Sequence, residues 1–184
     1  MRRALTPITL IGTAAAMLLL AASCIFGSDG EPLTIDEYFE QLDGADQEVS
    51  DRFDEVTGNL GSSPDLALVQ EEYPGALDAI DTFWQFIEDL KPPTAIEDAH
   101  NDMVDALGTY REEFATAVDA VQDASSLDQA IEALSSSDLS TAGEGYNTAC
   151  LAVQAKADDA QIDVTLGCAE EEEGGSSATP TAQP

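Results

Sequence analysis

Residues 94–121, TAIEDAHNDMVDALGTYREEFATAVDAV, decide the fold class. Apolar or ring-bearing side chains recur at Ile96, His100, Met103, Leu107, Tyr110, Phe114, Val118 and Val121, in steps of three and four. At about 100° per residue this spacing sets them along one face of an α-helix. Lys91, Pro92 and Pro93 stop whatever precedes, and Thr94 with Glu97 forms a capping-box pattern, so the helix is expected from Thr94 to Val121. Such a helix would be about 42 Å long at 1.5 Å per residue, and its seam needs partners of similar length to cover it.

Those partners are legible on either side. One helix is expected to open at Thr34, with Glu37 completing a capping box, and to carry Tyr38, Leu42, Ala45, Val49, Phe53, Val56 and Leu60 until Gly61, Ser62 and Ser63 end it. The next takes Ser63 as N-cap and Pro64 in its first turn, with a stripe of Leu66, Val69, Tyr73, Leu77, Ile80, Trp84, Ile87 and Leu90. Pro74 interrupts that run, yet the residues on both sides of it share a face, so one helix kinked at Pro74 is expected rather than two. Ser126 and Gln129 start a short helix holding Ala130 and Leu134, and Ser135 to Ser137 break it. The last long helix spans about Leu139 to Ala160 on Ala142, Tyr146, Ala149, Val153 and Ala157, small residues that allow a close approach to a neighbour. Ile162, Val164 and Leu166 then alternate with Asp163, Thr165 and Gly167, the pattern of extended chain. Short connections force antiparallel neighbours. The expected fold is therefore all-α: an up-and-down four-helix bundle over residues 34–168, with a kinked second helix, a short extra helix and a C-terminal strap.

The flanks differ from this body. Residues 169–184, AEEEEGGSSATPTAQP, have no apolar periodicity and read as a disordered acidic tail. At the other end, Arg2 and Arg3 precede an apolar run from Pro7 to Ala22, which leads through Ala21, Ala22 and Ser23 into Cys24. This resembles the signal peptide of bacterial lipoproteins, whose lipobox joins a hydrophobic residue and two small residues to a cysteine. Ala21 stands where that family most often has Leu. The resemblance implies that residues 1–23 are cleaved, that the Cys24 thiol is diacylated, and that residues 24–33 form a lipidated tether. It places the body on the extracytoplasmic side of the membrane. Ile25, rather than Asp, follows the cysteine, which by the same resemblance leaves outer-membrane sorting open. An uncleaved anchor over Ile8 to Phe26 is the competing reading.

Acyl chains contribute roughly 0.8 kcal/mol per buried methylene, and two or more hold a protein stably at a bilayer. Charge would not do so here. The 184 residues include 37 acidic and 6 basic side chains, a formal net charge of −31. Phosphate recognition needs Lys and Arg to displace counterions, so nucleic acid is excluded as a partner, and adhesion to anionic headgroups fails by the same sign. Most of the carboxylates fall on helix faces opposite the seams, where they give a solvated surface that favours a monomer; a saline habitat would account for the scarce lysines equally well.

With Cys24 assigned to lipid, Cys150 and Cys168 remain as one disulfide pair, which an exported compartment permits. About ten helical residues after Cys150 rise ~15 Å, a distance that five or six extended residues can retrace. Two buried free thiols are the alternative.

His100 is the only histidine. Glu97 precedes it by three residues, the Glu-x-x-His spacing of carboxylate-bridged metal bundles, but those sites need a second such motif and further Glu on facing helices. His100 is thus either a core residue or, with Glu97 and carboxylates from another helix, a metal ligand. Facing carboxylates around it would favour the metal; an apolar seam would favour the core. No Ser-His-Asp or Cys-His arrangement closes except through His100. Neither a Gly-rich phosphate loop nor an Asp-x-Asp-x-Asp-Gly calcium loop occurs. Phe83, Trp84 and Phe86 could line a cleft or fill a core. The expectation is a lipid-anchored, non-enzymatic binding or interaction module with an unidentified protein or small-molecule partner and no cofactor. The alternatives are a metal-binding lipoprotein using His100 and, third, a hydrolase.

Overall fold

The structure, a computed structural model, describes residues 31–61 and 64–168. The chain divides into two units, Met1–Glu31 and Pro32–Pro184, and the second holds the helical body. The expectations for the signal peptide, Cys24 and the tail 169–184 lie outside the described residues.

Five α-helices make up the body: α1 (Ile35–Leu60), α2 (Leu66–Asp89), α3 (Glu97–Asp123), α4 (Leu127–Leu134) and α5 (Ser137–Ala160). No strand occurs among the described residues, and none of the described helices is long and apolar enough to cross a membrane.

Capping chemistry sets most helix ends. At α1 the Thr34 side chain accepts from the Glu37 N–H at 3.3 Å while the Thr34 N–H donates to the Glu37 carboxylate at 3.0 Å, a complete capping box. Gly61 closes the helix at φ 59°, a conformation that a Cβ would strain. The N-cap of α2 is Asp65, whose carboxylate accepts from the Leu68 N–H at 3.0 Å; the expected cap, Ser63, lies outside the described residues. Ser126 and Ser136 cap α4 and α5 with their hydroxyls.

The start of α3 departs from the sequence reading. Thr94 does not cap it; the helix begins at Glu97, and Ile96 stands at the N-cap position with no side-chain cap bond. The Ile96 N–H donates to the Pro93 carbonyl at 2.8 Å in a preceding turn, and the Ile96 side chain is buried. Burying that side chain outweighs one surface cap bond, since a fully buried Ile contributes roughly 1.5–3 kcal/mol against about 1 kcal/mol for a cap.

Helix α2 runs through Pro74 as a single helix. Proline has no N–H to give the carbonyl four residues back, so the Gln70 carbonyl loses its intrahelical donor. The Gln122 side-chain amide takes that place, donating to the Gln70 carbonyl at 2.6 Å. In return, the Gln70 side-chain amide nitrogen lies 3.0–3.2 Å from the Val121, Gln122 and Ala124 carbonyls at the end of α3. Two glutamines thus satisfy each other's helix defects: the gap that a proline makes in α2 and the orphan carbonyls at the α3 terminus.

α3 is the hub, packing against α2, α4 and α5, while α1 packs on α2. Its seam supplies Met103, Leu107, Phe114 and Val118 to the core, as expected from residues 94–121. Phe39 is equally buried although it lies outside the expected α1 stripe, and it meets Tyr38 edge-on with ring centroids 5.1 Å apart. A smaller cluster of Val69, Val121 and Ala130 fixes α4.

Beyond α5, residues 162–166 form neither helix nor strand. Leu166 is buried and Ile162 and Val164 half-buried, whereas Asp163 and Thr165 are exposed, so the alternation seen in the sequence is realised. Gln154 ties this segment to α5: its amide nitrogen donates to the Val164 carbonyl at 2.9 Å and its carbonyl accepts from the Leu166 N–H at 2.9 Å. Cys150 and Cys168 are joined in a disulfide, with Cα atoms 6.1 Å apart.

Candidate functional site

Two places gather the polar chemistry. The first is around His100. Its ring is buried at the start of α3, and Nδ1 lies 3.1 Å from the Tyr38 hydroxyl of α1, with the two rings edge-on at 5.7 Å. Burial lowers the imidazole pKa below its usual 6.5 and raises the Tyr38 phenol, so the pair is a neutral hydrogen bond at pH 7. Glu97, the other half of the candidate metal pair, is exposed in the first turn of α3. Among the described residues no group of three or more His, Cys, Asp and Glu side chains is arranged to hold a metal ion. Ile96, Ala99 and Met103 are all buried beside His100 on α3, and the polar contact it receives from a facing helix is the Tyr38 hydroxyl.

The second place was legible in the sequence only through Phe83 and Tyr146. α1 and α5 do not pack on each other as the other long neighbours do, and a cavity of about 380 Å³ remains between them. Its apolar wall comes from Val49 and Phe53 of α1, Ile80 and Phe83 of α2 and Leu107 of α3. Phe83, one of the three aromatic residues weighed as core or cleft, is therefore both: it is buried and its surface is the cavity wall. Trp84 turns away to α3, where the Arg111 guanidinium sits 5.0 Å from its ring and pairs with Asp81.

The polar side of the cavity is built by α1, α3, α5 and the chain after α5. Asp46 is buried on α1, and its Oδ2 accepts from the Gly167 N–H at 2.7 Å. Tyr110 of α3 and Tyr146 of α5 stack with ring centroids 6.2 Å apart and 17° between planes. Burial raises the Tyr146 pKa most, and the negative charge of Asp46 adds to it, so the Tyr146 hydroxyl stays protonated through neutral pH. Ser50 and Asn147 complete the polar lining. Gly143 faces the Tyr110 ring, which would lie in ordinary van der Waals contact, 3.6 Å, from a Cβ at that position.

The small-residue stripe of α5 gives close packing toward α3, as expected, but its Gly143, Tyr146 and Asn147 border open space on the α1 side. Gly167 and Cys168 line the same cavity, so the disulfide fixes part of its rim. Among the described residues that line it there is no His, Lys or Arg. Ser50 consequently has no imidazole beside it in this lining, where the one ionisable acid is Asp46. The sequence signals for this site were Phe83, weighed as core or cleft, and Tyr146 within the small-residue stripe of α5. Asp46 carried none, being one acid among 37.

No protein-family model, no curated protein and no solved structure matches the chain.

Proposed function

We propose that the protein is a lipid-anchored, extracytoplasmic binding module without catalytic activity. In this reading Cys24 carries the acyl chains, the four long helices run up and down, and residues 162–168 lie across them as a strap. The observation that carries it is the cavity between α1 and α5, whose volume falls in the roughly 300–1,000 Å³ range of small-molecule sites and whose lining holds an acid, two phenols and an amide but no base. The lipobox-like run Ala21, Ala22, Ser23, Cys24 supports the attachment.

The membrane half of this proposal is tested by metabolic labelling with an alkyne fatty acid, followed by fractionation, of the full chain and of Cys24→Ala. Label and membrane retention should both be lost in the variant. Retention of Cys24→Ala in the membrane fraction would instead support an uncleaved anchor over Ile8 to Phe26, and label-free wild type in the soluble fraction would overturn the attachment altogether.

A further inference from the structure

We propose that the cavity between α1 and α5 binds a small organic cation, a protonated or quaternary amine carrying an apolar body. The inference rests on the binding-module reading above and specifies the ligand of that site.

Three features of the lining point the same way. The first is the buried carboxylate of Asp46. The Gly167 N–H orients it at 2.7 Å, and a carboxylate has about four acceptor positions, enough to hold its partners within the protein and still accept from a ligand. The second is the stacked pair Tyr110 and Tyr146, which with Phe53 and Phe83 lines the same cavity as that carboxylate. Ring faces attract an ammonium group, by more when it is desolvated, and they also cover the methyl or methylene groups attached to it. The third is the sign of the field. The lining contributes one acid and no base, and the body around it carries a large excess of acids. An anion entering this cavity would be repelled at close and at long range; a cation would be concentrated there.

Other ligand classes fit less well. A bare divalent ion needs several oxygen or nitrogen donors, and no group of three potential metal-holding side chains exists among the described residues. A purely apolar molecule would displace water from the Asp46 charge and bring no counter-charge, at a cost that an ammonium group removes.

The test uses the full chain in a non-ionic detergent and three probes of one shape: phenethylammonium, the uncharged 2-phenylethanol, and phenylacetate. Calorimetric titration should show the ammonium binding at least tenfold more tightly than the alcohol, with the anion weakest. Asp46→Asn keeps an oxygen for the Gly167 N–H and removes one of 37 acids, so the long-range field is nearly unchanged. It should reduce the affinity for phenethylammonium at least tenfold and leave that for 2-phenylethanol unchanged, with circular dichroism reporting an intact helical fold. If Asp46→Asn does not fold, the wild type still decides: amide chemical shifts induced by the ammonium probe should concentrate at Gly143, Asn147 and Gly167, and shifts spread over the acidic surface would overturn the proposal. Equal binding of the three probes overturns the ligand class but leaves a binding module. No binding of any probe at millimolar concentration overturns the use of this cavity while leaving the Cys24 attachment, tested separately, untouched.

Discussion

Replacing Gln122 by Ala should destabilise the protein only as long as Pro74 is present. In the wild type the Gln122 side-chain amide donates to the Gln70 carbonyl at 2.6 Å, in place of the N–H that Pro74 lacks. A typical intramolecular hydrogen bond contributes a net 0.5–1.5 kcal/mol, and the exposed position of Gln122 lets water replace part of it, so the expected loss is about 1 kcal/mol. In a Pro74→Ala background the new N–H at position 74 can bond the Gln70 carbonyl within α2. Gln122→Ala should then cost less than about 0.5 kcal/mol, giving a coupling of roughly 0.5–1 kcal/mol. Urea denaturation of the four proteins in the cycle, followed by circular dichroism, measures this directly. Pro74→Ala alone changes both the helix and the unfolded chain, but those effects cancel in the cycle. Equal losses from Gln122→Ala in both backgrounds would refute the idea that the glutamine substitutes for the missing proline donor.

Two further outcomes are expected. Reducing the disulfide, or changing both Cys150 and Cys168 to Ala, should lower stability by roughly 3 kcal/mol, since the bridge closes a loop with a sequence separation of 18; urea midpoints that do not move with reductant would contradict this. His100 should make stability fall with acid: its folded-state pKa is depressed by burial, so the unfolded chain takes up the proton more readily, and the stabilising effect of a neutral ring, complete above about pH 6.5, is lost as pH drops through the lower folded value. Denaturant midpoints of wild type and His100→Leu between pH 7.5 and 5 should diverge in slope, and parallel curves would rule the effect out.

The sequence was most informative where one helix face meets one core. Residues 94–121 announced α3, and its seam from Ile96 to Val121 is buried where the spacing placed it, Tyr110 alone being half-exposed. Local cap chemistry was a weaker guide. The same Thr-x-x-Glu pattern forms a complete box at Thr34 and nothing at Thr94, because burial of Ile96 and the turn from Pro93 fix where α3 begins. Phe39 could not be assigned to the core from periodicity, since it lies one residue beyond the stripe and is buried by neighbours distant in sequence. The cavity was hidden for a stronger reason. It exists only where α1, α2, α3, α5 and Gly167 come together, and Asp46 becomes distinctive among the many acids only when the Gly167 amide is seen to point at it.

The chain beyond α5 has one more consequence. An apolar, alternating, non-helical stretch such as residues 162–166 is the kind of segment onto which a second polypeptide can add a strand. Here the inward-facing groups of the segment are bonded within the protein: the Ile162 amide goes to Ala157, that of Val164 to Ile162, that of Leu166 to Gln154 and that of Gly167 to Asp46, while the Val164 carbonyl takes the Gln154 side chain. A helix-borne glutamine thereby acts as a stand-in for a neighbouring strand. The segment is therefore held on its own helix by neutral, local hydrogen bonds that salt does not screen, whereas the mutual repulsion of the polyanionic surface weakens as salt is added.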